Sequence, residues 1–95
     1  MPDEGVNYDI FSIQQVSLLL AVGERDWALD IAETYSTRAV KWLDYITKNN
    51  QLALNGYSYQ QKVLALNEMA RAFRAANEKE LAVEYEGMFN QYYNQ

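Results

Sequence analysis

The stretch Val22-Gly23-Glu24-Arg25-Asp26-Trp27-Ala28 decides the fold, because it separates two segments with helical periodicity. Gly23 is typical of the left-handed residue that ends a helix, and acidic residues suit the first turn of the next helix. A weaker copy follows at Ala76-Asn77-Glu78-Lys79-Glu80-Leu81-Ala82, where asparagine replaces glycine. The two stretches therefore predict two tight helix–turn–helix corners and an all-α fold of four helices in two antiparallel hairpins.

Apolar residues recur at spacings of three and four on both sides of each corner, as on amphipathic helices. We predict a flexible leader at residues 1–8 and a single helical domain at residues 9–93. The expected helices cover residues 9–22, 24–48, 58–76 and 78–92.

Two local signals suggest where the first and third helices begin. Asp9 is the expected N-cap of the first helix. Ser58, followed three residues later by Gln61, fits a capping box for the third helix. Residues 49–57 are then a connection, with Leu52 and Leu54 expected to hold it on the core. Asn49-Asn50 is the expected stop of the second helix, and Asn55-Gly56 is a turn signal within the connection.

The two corners share a pattern that indicates close helix packing. Each has a large apolar residue four positions before the turn and alanine five positions after it, namely Leu19 and Ala28, then Phe73 and Ala82. This pattern resembles the tetratricopeptide helical hairpin, which has glycine followed by alanine at that spacing. The copies are 54 residues apart, whereas tetratricopeptide repeats recur every 34. A plain four-helix bundle is the alternative.

Composition excludes several classes of function. The 95 residues suffice for one domain, and the net charge of −5 disfavours binding to nucleic-acid phosphates. The chain has no Cys and no His, which removes thiolate and imidazole chemistry. Glu80 and Glu84 share a helix face, but a hard-cation site needs more converging oxygens. We therefore expect no enzyme, no cofactor and no metal site.

A tetratricopeptide-like arrangement would create a groove along the first helix of each hairpin. The main groove residues predicted from the alignment are Ile13, Ser17, Leu20, Asn67, Arg71 and Arg74, and the alignment also places Ile10, Ala21, Leu64 and Ala75 along it. Such a groove has one apolar and one cationic wall, and arginine binds a carboxylate in a bidentate manner. An extended peptide or a carboxylate end is the ligand that would fit, and an acidic peptide would test it. In the alternative, Arg71 and Arg74 form ordinary helical ion pairs, with Glu68 and Glu78 respectively.

A second candidate surface consists of Leu18, Trp27 and Leu29. If these side chains are exposed together, they form an apolar patch of the kind that marks interfaces. This surface predicts docking to another domain or self-association. The partner would be a protein or peptide, or a second copy of the chain in a homodimer.

Several short stretches carry a further resemblance: Tyr8-Asp9, Ala28 to Tyr35, Leu43-Asp44-Tyr45, Leu66 to Ala70, Glu80-Leu81-Ala82, Met88-Phe89-Asn90 and Tyr92-Tyr93. Together they resemble the C-terminal soluble region of large bacterial multi-pass membrane proteins whose membrane part is similar to protein O-mannosyltransferases. None of these residues is a catalytic signature. The resemblance implies an extracytoplasmic helical appendage cut from a longer protein, which does not itself insert into the membrane.

The sequence thus predicts a non-catalytic interaction or scaffolding module. The alternative is a homodimerisation domain without a peptide groove, which only assembles its parent protein. A monomer with an open groove would favour the first hypothesis, and a tight dimer that buries Leu18 and Trp27 would favour the second.

Overall fold

Four α-helices account for most of residues 6–93, the part of the chain that the computed structural model describes, with side chains from residue 8. They are α1 (Val6–Ala21), α2 (Arg25–Lys48), α3 (Leu52–Ala75) and α4 (Lys79–Tyr93), and this part of the chain has no strand. The predicted all-α class with four helices is confirmed. The packing of neighbouring helices is consistent with two hairpins or with a bundle, so the tetratricopeptide-like assignment stays a prediction.

The first helix begins earlier than the sequence suggested. It starts at Val6, so residues 6–8 of the predicted leader are helical, and residues 1–5 lie outside the described part. Asp9 is therefore inside α1 and not its N-cap. Its carboxylate is buried, with 2% of the residue exposed, and its Oδ1 contacts Tyr35 of α2 and Lys62 of α3.

The third helix also begins earlier, which makes the predicted connection at residues 49–57 wrong. α3 starts at Leu52, and Ser58 lies inside it and not at its N-cap. The Asn55-Gly56 turn signal survives only as a kink, because Asn55 has φ −124° and ψ 17° within the helix. Leu52 packs against the core as expected, whereas Leu54 is 88% exposed and does not.

The three connections have one backbone geometry. Gly23, Asn50 and Asn77 all have positive φ, at 84°, 56° and 64°. After each of them, the next N–H bonds to the carbonyl five residues back, from Glu24 to Leu19, Gln51 to Ile46, and Glu78 to Phe73. This is the Schellman arrangement, which satisfies the last carbonyls of a helix. The stops predicted at Gly23, at Asn49-Asn50 and at Asn77 are confirmed.

α3 lies at the centre of the fold, with α1 and α4 on opposite sides of it. Ala72 borders a depression that residues of α1 also line, while Arg74 forms an ion pair with α4. Residues two positions apart point about 200° apart around a helix, so these contacts lie on opposite flanks. α2 packs on both α1 and α3, and its Ser36 hydroxyl is 3.3 Å from the Tyr85 hydroxyl of α4.

The core lies between these helices and is filled by large side chains between small ones. Ala28 and Ala82, the alanines that follow the two hairpin corners, are fully buried. Alanine at these positions lets the two helices of a hairpin approach closely. The largest buried side chains include Tyr35, Leu43, Leu66, Met69, Phe73 and Tyr85. Burial of each such side chain contributes about 1.5–3 kcal/mol.

Candidate interaction surface

The predicted groove is only partly assembled. Ser17 and Leu20 border a shallow depression of about 290 Å³ between α1 and α3, together with Ala21, Ala72, Ala75 and Ala76. Ile13 is half-buried against the core, as is Leu20. Ala21 and Ala75 were also predicted groove positions, but the lining includes none of Asn67, Arg71 and Arg74. The α3 wall therefore consists of alanines, without the predicted cationic residues.

Both arginines of the predicted cationic wall already have carboxylate partners. Arg71 Nη1 is 3.3 Å from Glu68 Oε1, the helical ion pair that the sequence offered as the alternative. Arg74 binds Glu86 of α4 through two nitrogens, at 2.8–3.2 Å. The pairing expected between Arg74 and Glu78 is wrong, because Glu78 bonds to Arg25 instead.

The Arg25–Glu78 pair joins the two hairpin corners. Arg25 Nε donates to Glu78 Oε2 at 2.7 Å. This hydrogen bond is the main reason why the pKa of the Glu78 carboxyl lies below its usual value and the pKa of Arg25 above. Since Arg25 follows Gly23 and Glu78 follows Asn77, the two corners lie side by side at one end of the molecule.

The predicted patch of Leu18, Trp27 and Leu29 is divided. Leu18 is 58% exposed and Trp27 57% exposed, as the patch requires. Leu29 is half-buried and packs against the core. The reason is helical geometry, since Trp27 and Leu29 are two positions apart and point about 200° apart around α2.

A more coherent apolar surface runs along α1. Phe11, Leu18 and Val22 are spaced by seven and four residues, so they share one side of the helix, and they are 58%, 58% and 63% exposed. We call these three residues the α1 outer face. The apolar stripe of α1 is wide, and the structure buries only part of it. Val16 and Leu19, which lie about 60–160° around the helix from the α1 outer face, are in the core.

The α1 outer face lies in a segment without charge. Residues 10–23 contain no Asp, Glu, Lys or Arg, although charged residues make up 22% of the whole chain. A helix that is apolar on most of its circumference is usually buried on most of it. α1 has neighbours on one side only, α2 and α3. Its uncovered side is thus a candidate interface, and the uniform lack of charge was the sequence signal for it.

A buried polar cluster holds α1 in place. Lys62 of α3 is completely buried, and its Nζ is 3.4 Å from Asp9 Oδ1 of α1. The Tyr35 hydroxyl of α2 donates to the same oxygen at 2.6 Å. The Lys62 ammonium also lies 5.1 Å from the centre of the Trp42 ring, within cation–π range.

This cluster is the main feature that the sequence interpretation missed. Asp9 and Lys62 both lie in core-facing register, since Asp9 is seven residues before Val16 and Lys62 is four before Leu66. A charged residue on an apolar stripe was the available signal. Burial, and secondly the hydrogen bond to Asp9, raises the pKa of the Tyr35 phenol far above its usual value. The Tyr35 phenol therefore keeps its proton at neutral pH. The cluster connects α1, α2 and α3.

A second cluster, around Tyr92 near the C-terminal end of α4, connects α4 to α2 and α3. The Tyr92 hydroxyl donates to the Asp44 carboxylate of α2. The Tyr59 hydroxyl of α3 donates to the Tyr92 carbonyl at 3.3 Å. Burial, followed by the bond to Asp44, raises the pKa of Tyr92. These contacts are structural ties between helices.

Two further features concern residues 6–93 only. Among them, no group of three or more acidic side chains lies close enough together to hold a metal ion. No helix of this part is long and apolar enough to cross a membrane.

Comparison of the chain with protein-family models, with curated proteins and with solved structures gave no match. The resemblance to the soluble region of mannosyltransferase-like membrane proteins therefore stays a prediction. The surface of the molecule is the remaining guide to function.

Proposed function

We propose that this chain is a non-catalytic protein-interaction or scaffolding module, and that the α1 outer face is its binding surface. The observation that carries the proposal is the combination of three exposed apolar side chains with the absence of charge from residues 10–23. Exposed apolar surface of this kind marks interfaces in soluble proteins. Trp27, which is also exposed, lies just beyond the corner that ends α1 and extends the surface with an aromatic residue of the type enriched at binding sites.

The groove of acidic-peptide type is the weaker candidate for the binding surface. Arg71 and Arg74 are each paired with a carboxylate, and an incoming acidic peptide would have to displace these partners. The α1 outer face needs no such exchange, because its apolar side chains form no hydrogen bonds or ion pairs that a partner would break. Docking there gains apolar burial at about 25 cal/mol per Å².

The proposed parent is a membrane protein of the mannosyltransferase-like type, with this module as its extracytoplasmic appendage. Only the resemblance of the sequence supports this part of the proposal. The test is the reading frame upstream of Met1. A series of hydrophobic spans there would agree with the proposal, and a ribosome-binding site directly before Met1 would contradict it.

Site-directed cross-linking tests the interaction surface. A photo-reactive amino acid replaces Leu18 in the protein expressed in its own cells. The matched control replaces Val83 of α4, which is 61% exposed and thus equally accessible. We expect a discrete adduct from position 18 and none from position 83. Equal labelling at both positions, or no adduct at position 18, would contradict the proposed surface.

A further inference from the structure

We propose that the occupant of the α1 outer face is a second copy of this chain, related by a two-fold axis, with α1 of one protomer against α1 of the other. This proposal rests on the proposed function, because it names the partner of the same surface. Three features of the molecule lead to it: the charge distribution, the contrast with α4, and the size of the face.

Charge selects this face for self-association. Each chain carries a net charge of −5, so two copies repel each other over most of their surfaces. Across a two-fold axis the same patch lies on both sides, and any charge near the axis would face a like charge. Residues 10–23 avoid this repulsion because they carry no charge. They form a surface that can meet itself without electrostatic cost.

The outer side of α4 is a poorer contact for the α1 outer face than a second α1 outer face is. It exposes Val83 but also Glu80 and Glu84. An α1 face docked on α4 of the next copy would cover carboxylates with apolar side chains, and each buried charge is costly without a partner. The contact of α1 with α1 pairs apolar surface with apolar surface, and it closes as a dimer instead of growing as a filament.

The dimensions of the face suit a small dimer interface. α1 has 16 residues and is therefore about 24 Å long. Together with the exposed Trp27 of α2, the uncharged surface of a helix of this length amounts to a few hundred Å². Stable interfaces bury about 800 Å² on each partner, so we expect a reversible dimer whose fraction rises with protein concentration.

Sedimentation analysis of the whole chain over a range of concentrations tests the proposal. We expect wild type to show a monomer–dimer equilibrium. Leu18→Glu should weaken self-association at least about tenfold, since it places two carboxylates in an apolar contact. Leu54→Glu is the matched control, because Leu54 is 88% exposed on α3, and it should dimerise as wild type does. Phe11→Glu gives a second disruption of the face, and circular dichroism checks that each variant is folded.

Salt provides an independent measure of the interface. Added salt screens the repulsion between two acidic protomers, so we expect the dimer to become tighter. A dimer held by ion pairs would become weaker with salt, and this result would overturn the proposed interface. Equal weakening by Leu18→Glu and Leu54→Glu would overturn it as well.

The failure of this proposal differs from the failure of the proposed function. A wild-type chain that stays monomeric at all concentrations, but gives an adduct with a different protein from position 18, overturns the second copy as occupant and leaves the interaction module intact. A monomer without any adduct from position 18 overturns both.

Discussion

α1 and α4 occupy equivalent places on the two sides of α3, yet they present different surfaces to solvent. On α1, positions 11, 18 and 22 are Phe, Leu and Val. The equally spaced positions 80, 87 and 91 of α4 are Glu, Gly and Gln. The outer side of α4 also exposes Val83, at 61%, but it carries Glu80 and Glu84 nearby, whereas residues 10–23 of α1 have no charge. The difference supports the proposal that α1 is the side of the fold that binds a partner.

The two outer helices also differ in how they are held. α1 is anchored by a fully buried charge cluster, Asp9 with Lys62 and Tyr35. α4 is anchored by aromatic contact of Phe73 with Tyr85, whose ring centres are 5.2 Å apart, and by ion pairs that solvent can reach. Buried ionic contacts are geometrically demanding, so they fix the orientation of α1 and with it the direction of its outer face.

The largest expected effect comes from the anchor of α1. Lys62→Ala removes a buried cation beside the Asp9 carboxylate, and we expect the free energy of unfolding to fall by about 3 kcal/mol. Arg74→Ala, the corresponding change on the α4 side, removes a half-exposed pair and should cost less than about 1 kcal/mol. Urea denaturation of both variants measures the difference. An equal loss in the two variants would show that both helices are held in the same way.

A triple substitution tests whether charge or packing anchors α1. Replacing all three partners by apolar residues, Asp9→Leu and Tyr35→Phe with Lys62→Met, leaves no buried polar group unpaired and should recover most of the stability that Lys62→Ala loses. Urea denaturation again provides the measurement. If the triple variant is as unstable as Lys62→Ala, apolar side chains cannot replace the cluster.

The next largest effect is expected from alkaline pH, which should lower the free energy of unfolding through the buried tyrosines. The pKa values of Tyr35, Tyr85 and Tyr92 are raised in the fold, chiefly by burial. Each phenol therefore holds its proton more tightly when folded, so this stabilisation is complete below pH ~10 and is lost as the pH rises above that value. Urea midpoints measured across this range should fall. Urea midpoints that do not change with pH above ~10 would contradict the raised tyrosine pKa values.

Tyr35→Phe separates the α1 contribution from the others. At neutral pH it should cost about 1.5–3 kcal/mol, because the bond to the Asp9 carboxylate is lost. Above pH ~10 the variant should lose stability less steeply than wild type, since one titrating group is gone. Tyr93→Phe, at an exposed position, is the control and should follow wild type.

The corner between α1 and α2 should give a smaller effect. Gly23 has φ 84°, so Gly23→Val forces a β-branched residue into the left-handed region and should destabilise the fold by about 1–2 kcal/mol. Gly23→Asn is the matched control. Asparagine already adopts this conformation at Asn50 and Asn77, so this variant should melt close to wild type. If Gly23→Val melts at the same temperature as wild type and Gly23→Asn, the left-handed conformation at position 23 is not needed to end α1.

The smallest effect is expected on α4. A Cβ at Gly87 would have no atom within 4 Å, so close helix packing does not require glycine there. Gly87→Ala should stabilise the fold by about 0.5–1 kcal/mol through helix propensity. Thermal melting of this variant measures the gain. A loss of stability would indicate a contact at this position that the α4 outer side does not otherwise show.

Local sequence signals determined much of this fold. The helical periodicity and the three helix stops at Gly23, Asn50 and Asn77 could be read directly, because left-handed C′ residues and amphipathic spacing act within a few residues along the chain. The alanines after the hairpin corners were identified for the same reason. The charge-free segment at residues 10–23 is likewise a property of the amino-acid sequence alone.

Tertiary structure decided the rest, where a residue's role depends on distant partners. Asp9 resembles an N-cap in sequence, but its partners Tyr35 and Lys62 lie 26 and 53 residues away. Arg74 pairs with Glu86, although Glu78 is nearer in sequence, because α4 packs beside α3. Glu78 binds Arg25 of the other corner instead. Which apolar side chains of α1 stay uncovered is likewise set by the positions of α2 and α3, since periodicity defines the faces of a helix but not the neighbours that cover them.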